Sequence, residues 1–333
     1  MIGRKVGSNT ANVSRNTERR QMVVEYVFGP VPSRRFGRSL GVNPIPFKVC
    51  SYSCVYCQLG RTEKLEMRRK VHFDTDEVVS SIVSSIEKAA GKLDYVTFMG
   101  DGEPTLAENL GEMARSLREV WAGKMALITN GSLFFMDDVR EDALEFDVVS
   151  PTVAAGDEKI FRRIHRPHGD ITLERVIDGL REFREMSSGE LWAEVMLVQG
   201  VNDTENALQA ICSRLEALAP ARTYINVPVR PPAEKWVKVP SRDSIETALR
   251  ILPRALDMSS PEVGEFQLLS ESKIDALLEI ARNHPLREEQ LTEMLSVERQ
   301  QRGAMSIIRR LLDEGRLELA EYDGKRFYRT PRG

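Results

Sequence analysis

The sequence predicts an α/β protein in which strands and amphipathic helices alternate, followed by a smaller module built in a different style. Three observations carry this. Short apolar runs with β-type residues recur at 95–99, 125–128, 147–149, 191–198 and 224–229, and a sixth candidate strand lies at 39–43. Segments with helical spacing lie between them, each behind a capping residue. They are Val78, Val79, Ile82, Val83 and Ile86 behind Thr75, Val176, Ile177, Leu180 and Phe183 behind Thr172, and Ala207, Leu208, Ile211, Leu215 and Leu218 behind Thr204. Finally, the C-terminal ends of the strands turn polar or glycine-rich, as at Asn43, Gly100-Asp101-Gly102-Glu103, Thr129-Asn130-Gly131, Ser150 with Thr152, Gln199-Gly200 and Asn226 to Arg230. Strands regularly separated by helices imply right-handed crossovers and a parallel sheet. Six such units suit a partial barrel as well as a doubly wound sheet, and in either the strand C-termini form the site.

Taken in order, residues 1–24 read as a flexible, polar, Arg-rich tail without the apolar core of a secretory signal, or as an upstream start preceding Met22. Tyr26-Val27-Phe28-Gly29-Pro30-Val31-Pro32-Ser33 is too broken by Pro and Gly for a long helix. The first domain is expected to span 25–256, ending in a helix at about 244–256, with a linker at 257–270. Residues 271–333 show helical patterns at 274–281, 288–295 and 301–312, then two alternating strands around Asp323-Gly324. Three short helices and a hairpin predict a winged helix-turn-helix.

Of the 333 residues, 41% are hydrophobic and 29% charged, ordinary for a globular protein. No apolar run approaches the ~18–20 residues of a membrane helix, so a cytoplasmic protein without membrane contact is expected. The net charge of −3 conceals +10 over residues 1–70 and −13 over the remainder. Arg34, Arg35 and Arg38 precede the cysteines, and Arg61, Lys64, Arg68, Arg69 and Lys70 follow them. These two groups are expected to border the mouth of a pocket and to meet an anionic partner.

Three of the four cysteines fall within eight residues, Cys50-Ser51-Tyr52-Ser53-Cys54-Val55-Tyr56-Cys57, a C-x3-C-x2-C loop. Three structural thiols so close together do not suit a polar loop between a strand and a helix. Zinc would want a fourth Cys or His nearby, and only His72 and the distant Cys212 are on offer. Three thiolates on an iron–sulfur cluster fit best, because they leave one iron with an open position.

C-x3-C-x-aromatic-C, here with Tyr56 before Cys57, resembles the signature of the radical S-adenosylmethionine (SAM) superfamily. The opening from Phe28-Gly29-Pro30-Val31-Pro32-Ser33-Arg34-Arg35 through Leu40-Gly41 to Cys57-Gln58-Leu59-Gly60 is similar to a narrower group. That group comprises radical SAM iron–sulfur oxidoreductases related to the enzymes of wyosine biosynthesis on tRNA. The resemblance covers about residues 25–240. It implies a partial (β/α)6 TIM-type barrel and a [4Fe–4S] cluster on Cys50, Cys54 and Cys57, with SAM on the fourth iron. Reductive cleavage of SAM would give a 5′-deoxyadenosyl radical that abstracts a substrate hydrogen. Gly102-Glu103-Pro104 resembles the motif receiving the SAM amino group, with Asp101 standing where a second glycine is common. Asn130, Ser150 and Thr152 resemble positions on SAM's carboxylate or ribose, and Val198 to Val201 would pass near the adenine. Thr152-Val153-Ala154-Ala155 departs from the group's Ser-Leu-Asp-Ala, so an acidic contact is missing there. The archaeal wyosine synthase needs further cysteines for a second cluster, and here Cys212 is the only thiol left.

His165 and His168 read either as substrate-facing or as solvated surface residues. The cofactor supplies the radical and the protein supplies orientation, so the substrate is not written in the motif. An RNA or tRNA base is the leading expectation, from the basic flank and the winged helix. That module holds twelve basic and twelve acidic residues over 271–333, which suits a protein partner equally well. The alternatives are modification of a protein or small molecule, and an iron–sulfur winged-helix sensor without turnover. A flavodoxin- or ferredoxin-like electron donor is the expected partner.

Overall fold

The structure is a computed structural model that describes residues 26–90, 93–260, 272–295 and 301–331. The expected tail 1–24 and residues 261–270 of the expected linker lie outside them. The first domain runs β1 (Val27–Ser33), β2 (Gly37–Val42), α1 (Thr75–Lys88), β3 (Tyr95–Phe98), α2 (Leu110–Val120), β4 (Lys124–Thr129), α3 (Asp137–Ala143), β5 (Val148–Pro151), α4 (Glu158–His165), α5 (Leu173–Met186), β6 (Glu190–Met196), α6 (Glu205–Leu218), β7 (Arg222–Asn226), α7 (Arg242–Ile251) and β8 (Ala255–Asp257). All eight strands join one sheet in sequence order. β1 is antiparallel to β2, and every pairing from β2 to β8 is parallel. Crossover helices cover the sheet, as the alternation predicts.

The sheet thus has two strands more than the six expected. One reason lies at Pro253: it cannot continue a helix, so α7 stops at Ile251 rather than near 256, and the chain re-enters the sheet as β8. Capping chemistry sets the other helix starts. Thr172 and Thr204 accept from the N–H groups of Arg175 and Ala207, as expected. The α1 cap is Asp74, not Thr75: its carboxylate accepts from Asp76 and Glu77 N–H, and Thr75 is buried under the Asn109 amide. The core lies between sheet and helices, with Leu40, Val96, Leu127 and Val195 on strands meeting Val78, Leu117, Phe183 and Leu208 on helices.

Among the described residues β8 pairs with β7 alone, so the sheet does not close by a ladder. Arg34, in the β1–β2 turn, spans the seam by donating to the Met258 carbonyl and, at 3.1 Å, to that of Ser260. The next two residues turn inward. Phe36 stacks on Trp192 with centroids 5.3 Å apart, and Arg35 enters the interior to meet Glu194 at 2.9 Å and Ser150 Oγ at 3.0 Å.

The second module contains α8 (Lys273–Asn283), β9 (Leu286–Arg287), α9 (Glu288–Leu295), α10 (Gln301–Asp313), β10 (Glu318–Tyr322) and β11 (Lys325–Arg329). Its three strands form an antiparallel sheet in the order β10-β11-β9 over a separate core of Leu277, Leu286, Leu291, Ile308 and Leu311. No helix among the described residues is long and apolar enough to cross a membrane.

Candidate functional site

The cysteine loop leaves the end of β2 and is pinned on two sides by backbone hydrogen bonds. Toward β3, Lys48 N–H donates to the Asp101 carbonyl at 2.7 Å and Glu103 N–H to that of Val49 at 2.9 Å. Toward α4, Ser53 N–H donates to the His165 carbonyl at 3.0 Å and Val55 N–H to that of Ile164 at 2.9 Å. The three thiols are free and half-buried, whereas Cys212 is buried in α6 with its thiol on the Ile251 carbonyl. Each thiol of the loop faces a nitrogen. Asn130 Nδ2 lies 3.7 Å from Cys50 Sγ, His165 Nδ1 3.4 Å from Cys54 Sγ, and Lys48 Nζ 3.6 Å from Cys57 Sγ.

Burial pushes the Cys50 thiol up to about 12, helped by the Glu103 charge, and raises Cys54 well above the usual thiol range. Two thiols that burial holds against ionisation give up their protons only against compensating positive charge, which iron supplies. The donor set of three thiols on one pinned loop therefore fits an iron–sulfur cluster.

Gly102 follows β3 under tight steric control. A Cβ at this position would stand 1.9 Å from the Val49 carbonyl oxygen. Glu103 is fully buried and caps the 3-10 turn Pro104–Leu106. Its carboxylate accepts from Thr105 N–H and Oγ1, from Thr129 Oγ1 at 2.5 Å and from Asn130 N–H at 2.7 Å. Those four bonds lower a carboxyl that burial otherwise raises, and burial prevails. Asn130 in turn donates to Ser51 Oγ at 3.0 Å. Glu103 and Asn130 thus tie the ends of β3 and β4 to the cysteine loop.

Ser150 is buried, donating to the Trp192 carbonyl and accepting from Arg35. Thr152 is half-buried at the end of β5 and bridges to Glu194 through its backbone. Val198 and Val201 pack against Val55 of the cysteine loop, with Tyr56 alongside. The loop that lacks the expected acid is held by Asn202, whose amide donates to the Ala154 and Met196 carbonyls, each at 2.8 Å.

A cavity of 340 Å³ lies at the strand ends, lined among others by Tyr56, Cys57, Asp101, Gly102, Glu194 and Asn226. The second module roofs it: Asn283 and His284 also line the cavity. Gln58 Nε2 donates to the Asn283 carbonyl at 2.9 Å, and Arg230 Nε to that of Pro285 at 3.3 Å. In the amide orientation that satisfies both ends, Asn283 donates to the Asp101 carboxylate at 2.9 Å and accepts from Asn43 at 3.1 Å.

Several residues are placed otherwise than the sequence suggests. The basic flank is divided: Arg34 and Arg35 line the cavity, whereas Arg61, Lys64 and Lys70 line a separate one. Arg35 is ion-paired inside, Arg34 spans the seam, and Arg69 is held by Asp138, Asp142 and the Thr105 and Ala107 carbonyls. Arg61 pairs with Glu234 and Lys70 with Glu66, while Arg68 and Lys64 are exposed. His165 is neither solvated nor in the cavity lining: it is 1% exposed against Cys54, and burial pushes its imidazole down to about 3. The (i, i+4) pair Phe161 and His165 on one face of α4 was the available signal. Glu194 escaped notice too, although an acid inside the apolar run 191–198 marks an interior partner.

The Radical SAM superfamily model matches residues 45–211. UPF0026 protein MJ1312 of Methanocaldococcus jannaschii is 40% identical over 90% of this chain and 94% of its own length. A probable dual-specificity RNA methyltransferase RlmN of Thermotoga petrophila is 24% identical over 61% of this chain and 58% of its own. The fold is similar to the crystal structure of a radical SAM methyltransferase from Sphaerobacter thermophilus, with a TM-score of 0.53 at 20% identity, covering 67% of each chain. The chain belongs to the radical SAM superfamily and to the UPF0026 family within its reach of sequence similarity.

Proposed function

We propose that this radical SAM enzyme acts on an RNA base, brought to the cavity between the strand ends and the second module. When bound, the [4Fe–4S] cluster and SAM supply reductive cleavage of SAM and, through it, hydrogen abstraction from an unactivated C–H bond. Cys50, Cys54 and Cys57 would hold the cluster, with Tyr56 and Gly102 lining the adjoining space. Glu103, Pro104 and Asn130 fix the turn against which SAM's methionine end would lie, and Ser150 and Thr152 would serve its ribose side. The chain's own contribution is orientation and exclusion of water.

The observation that carries the RNA reading is the module over the cavity. Its order of helix, strand, two helices and hairpin supports a winged helix, a fold that docks helices onto nucleic acid. The resemblance to an RNA methyltransferase points the same way. A small-molecule substrate is the second reading, favoured by the cavity volume of 340 Å³, at the low end for one drug-sized ligand. The exposed Lys64 and Arg68 beside the cysteine loop suit an acidic flavodoxin- or ferredoxin-like donor.

Anaerobically reconstituted protein, given dithionite and SAM, is expected to release methionine and 5′-deoxyadenosine, with more released on addition of total RNA. Replacing Cys50, Cys54 or Cys57 with Ala abolishes both cluster and products, whereas Cys212→Ala retains them. Stimulation by a protein-free small-molecule extract and none by RNA would establish the second reading instead.

A further inference from the structure

We propose that His165 is a positioning residue for the cluster, donating through Nδ1–H to the Cys54 thiolate and thereby raising the cluster's reduction potential. The inference rests on a cluster bound at the three cysteines.

The backbone places this imidazole before its ring is considered. His165 is the last residue of α4, and its carbonyl accepts Ser53 N–H at 3.0 Å, one residue before Cys54. The ring is then wedged among aromatic neighbours, with centroids 5.1 Å from Tyr52, 5.4 Å from Phe161 and 5.9 Å from Tyr56. Held in this way, Nδ1 lies 3.4 Å from Cys54 Sγ and 3.3 Å from the Tyr56 hydroxyl. A rigidly held ring therefore presents its nitrogen to Cys54.

Reduction adds negative charge to a cluster that already carries thiolates. Donors aimed at a ligating sulfur stabilise the more negative state, and hydrogen bonds to sulfur are among the main controls of such potentials. Nδ1 must carry the proton to act this way, which the nearby sulfur acceptor favours. Cys50 and Cys57 face an amide and an ammonium instead, at 3.7 and 3.6 Å. The ring wedged at Cys54 has the least freedom to turn away.

The test compares reconstituted wild type, His165→Phe and His165→Asn by redox titration followed by electron paramagnetic resonance, with iron content measured on each. Phe keeps the ring packing and removes the donor, while the Asn amide restores a nitrogen near the Nδ1 position. The expected result is a midpoint shifted to more negative potential in His165→Phe, recovered in His165→Asn, at equal iron content. Coincident midpoints for wild type and His165→Phe would overturn the proposal, as would His165→Asn behaving like Phe. If His165→Phe cannot hold iron, His165→Leu takes its place, since it too removes the donor: a negative shift supports the proposal and an unchanged midpoint overturns it. Wild type without any cluster would refute the iron–sulfur reading itself, a separate outcome.

Discussion

Gly102→Ala tests whether the glycine after β3 is set by the cysteine loop rather than by room for a ligand. The added methyl would lie 1.9 Å from the Val49 carbonyl oxygen and 2.7 Å from its carbon. Both atoms are backbone, so no side-chain rotation relieves the contact. Val49 must move, and the hydrogen bond from Glu103 N–H to its carbonyl, 2.9 Å in the native chain, opens with it. Overpacking of a tight site costs about 1–3 kcal/mol, and a broken backbone hydrogen bond adds about 1 kcal/mol. The sum, about 2–4 kcal/mol, corresponds to a fall of roughly 5–15 °C in the melting temperature of a domain this size. Cys50 follows Val49 directly, so the iron content after anaerobic reconstitution should fall as well. Apo-protein melting by circular dichroism and iron per chain are the two assays. A Gly102→Ala protein that melts with wild type and takes up full iron would refute the steric argument. One that does both yet loses SAM affinity would return the glycine to the ligand.

Other perturbations separate structural from chemical roles. Arg35→Ala leaves Glu194, 10% exposed at its side chain, without its ion-pair partner. The expected loss is about 3–5 kcal/mol in urea unfolding, largely restored in the double variant Arg35→Met with Glu194→Leu. A single variant within 1 kcal/mol of wild type would refute the pairing. Asp101 is raised by burial from 3.8 to about 6. The native state therefore holds a proton that the unfolded chain has lost between those values, and this residue's contribution to stability falls as pH rises through that window. The difference between wild type and Asp101→Asn should change by about 2 kcal/mol from pH 4 to pH 7. Taking the difference matters because His165, pushed down to about 3, titrates with the opposite sign over an overlapping range. A difference independent of pH would show that Asp101 is not buried as described.

Local chemistry was the part of this chain most open to reading in advance. The Thr172 and Thr204 caps act over three residues, and the glycine and polar strand ends announce a pocket because a parallel sheet puts them at one edge. The cysteine loop is equally local, its ligand spacing fitting within eight residues. What escaped depends on partners far along the chain. Arg69 reads as an exposed cation until Asp138 and Asp142 are brought against it, and Arg35 until Glu194 is. His165 reads as surface until α4 lays it on Cys54. The roof is a further case, since Gln58 and Asn283 meet across 225 residues. No periodicity or propensity records such a contact, because neither partner needs it to form its own element.

The Arg34 seam bears on how wide the interior can be. In a barrel closed by hydrogen bonds throughout, the circumference comes in whole steps set by strand number and stagger. Here a guanidinium spans the last interval and holds carbonyls on Met258 and Ser260. The interval spanned by a side chain is not set by ladder register, and releasing it costs about 1 kcal/mol per hydrogen bond rather than a whole ladder. Any widening there would open the sheet sideways, between β1 and β8, rather than on the β2–β3 side that carries the cysteine loop. Arg34 therefore clasps the two ends of the sheet, so that the interior is closed there by one side chain and not by strand register.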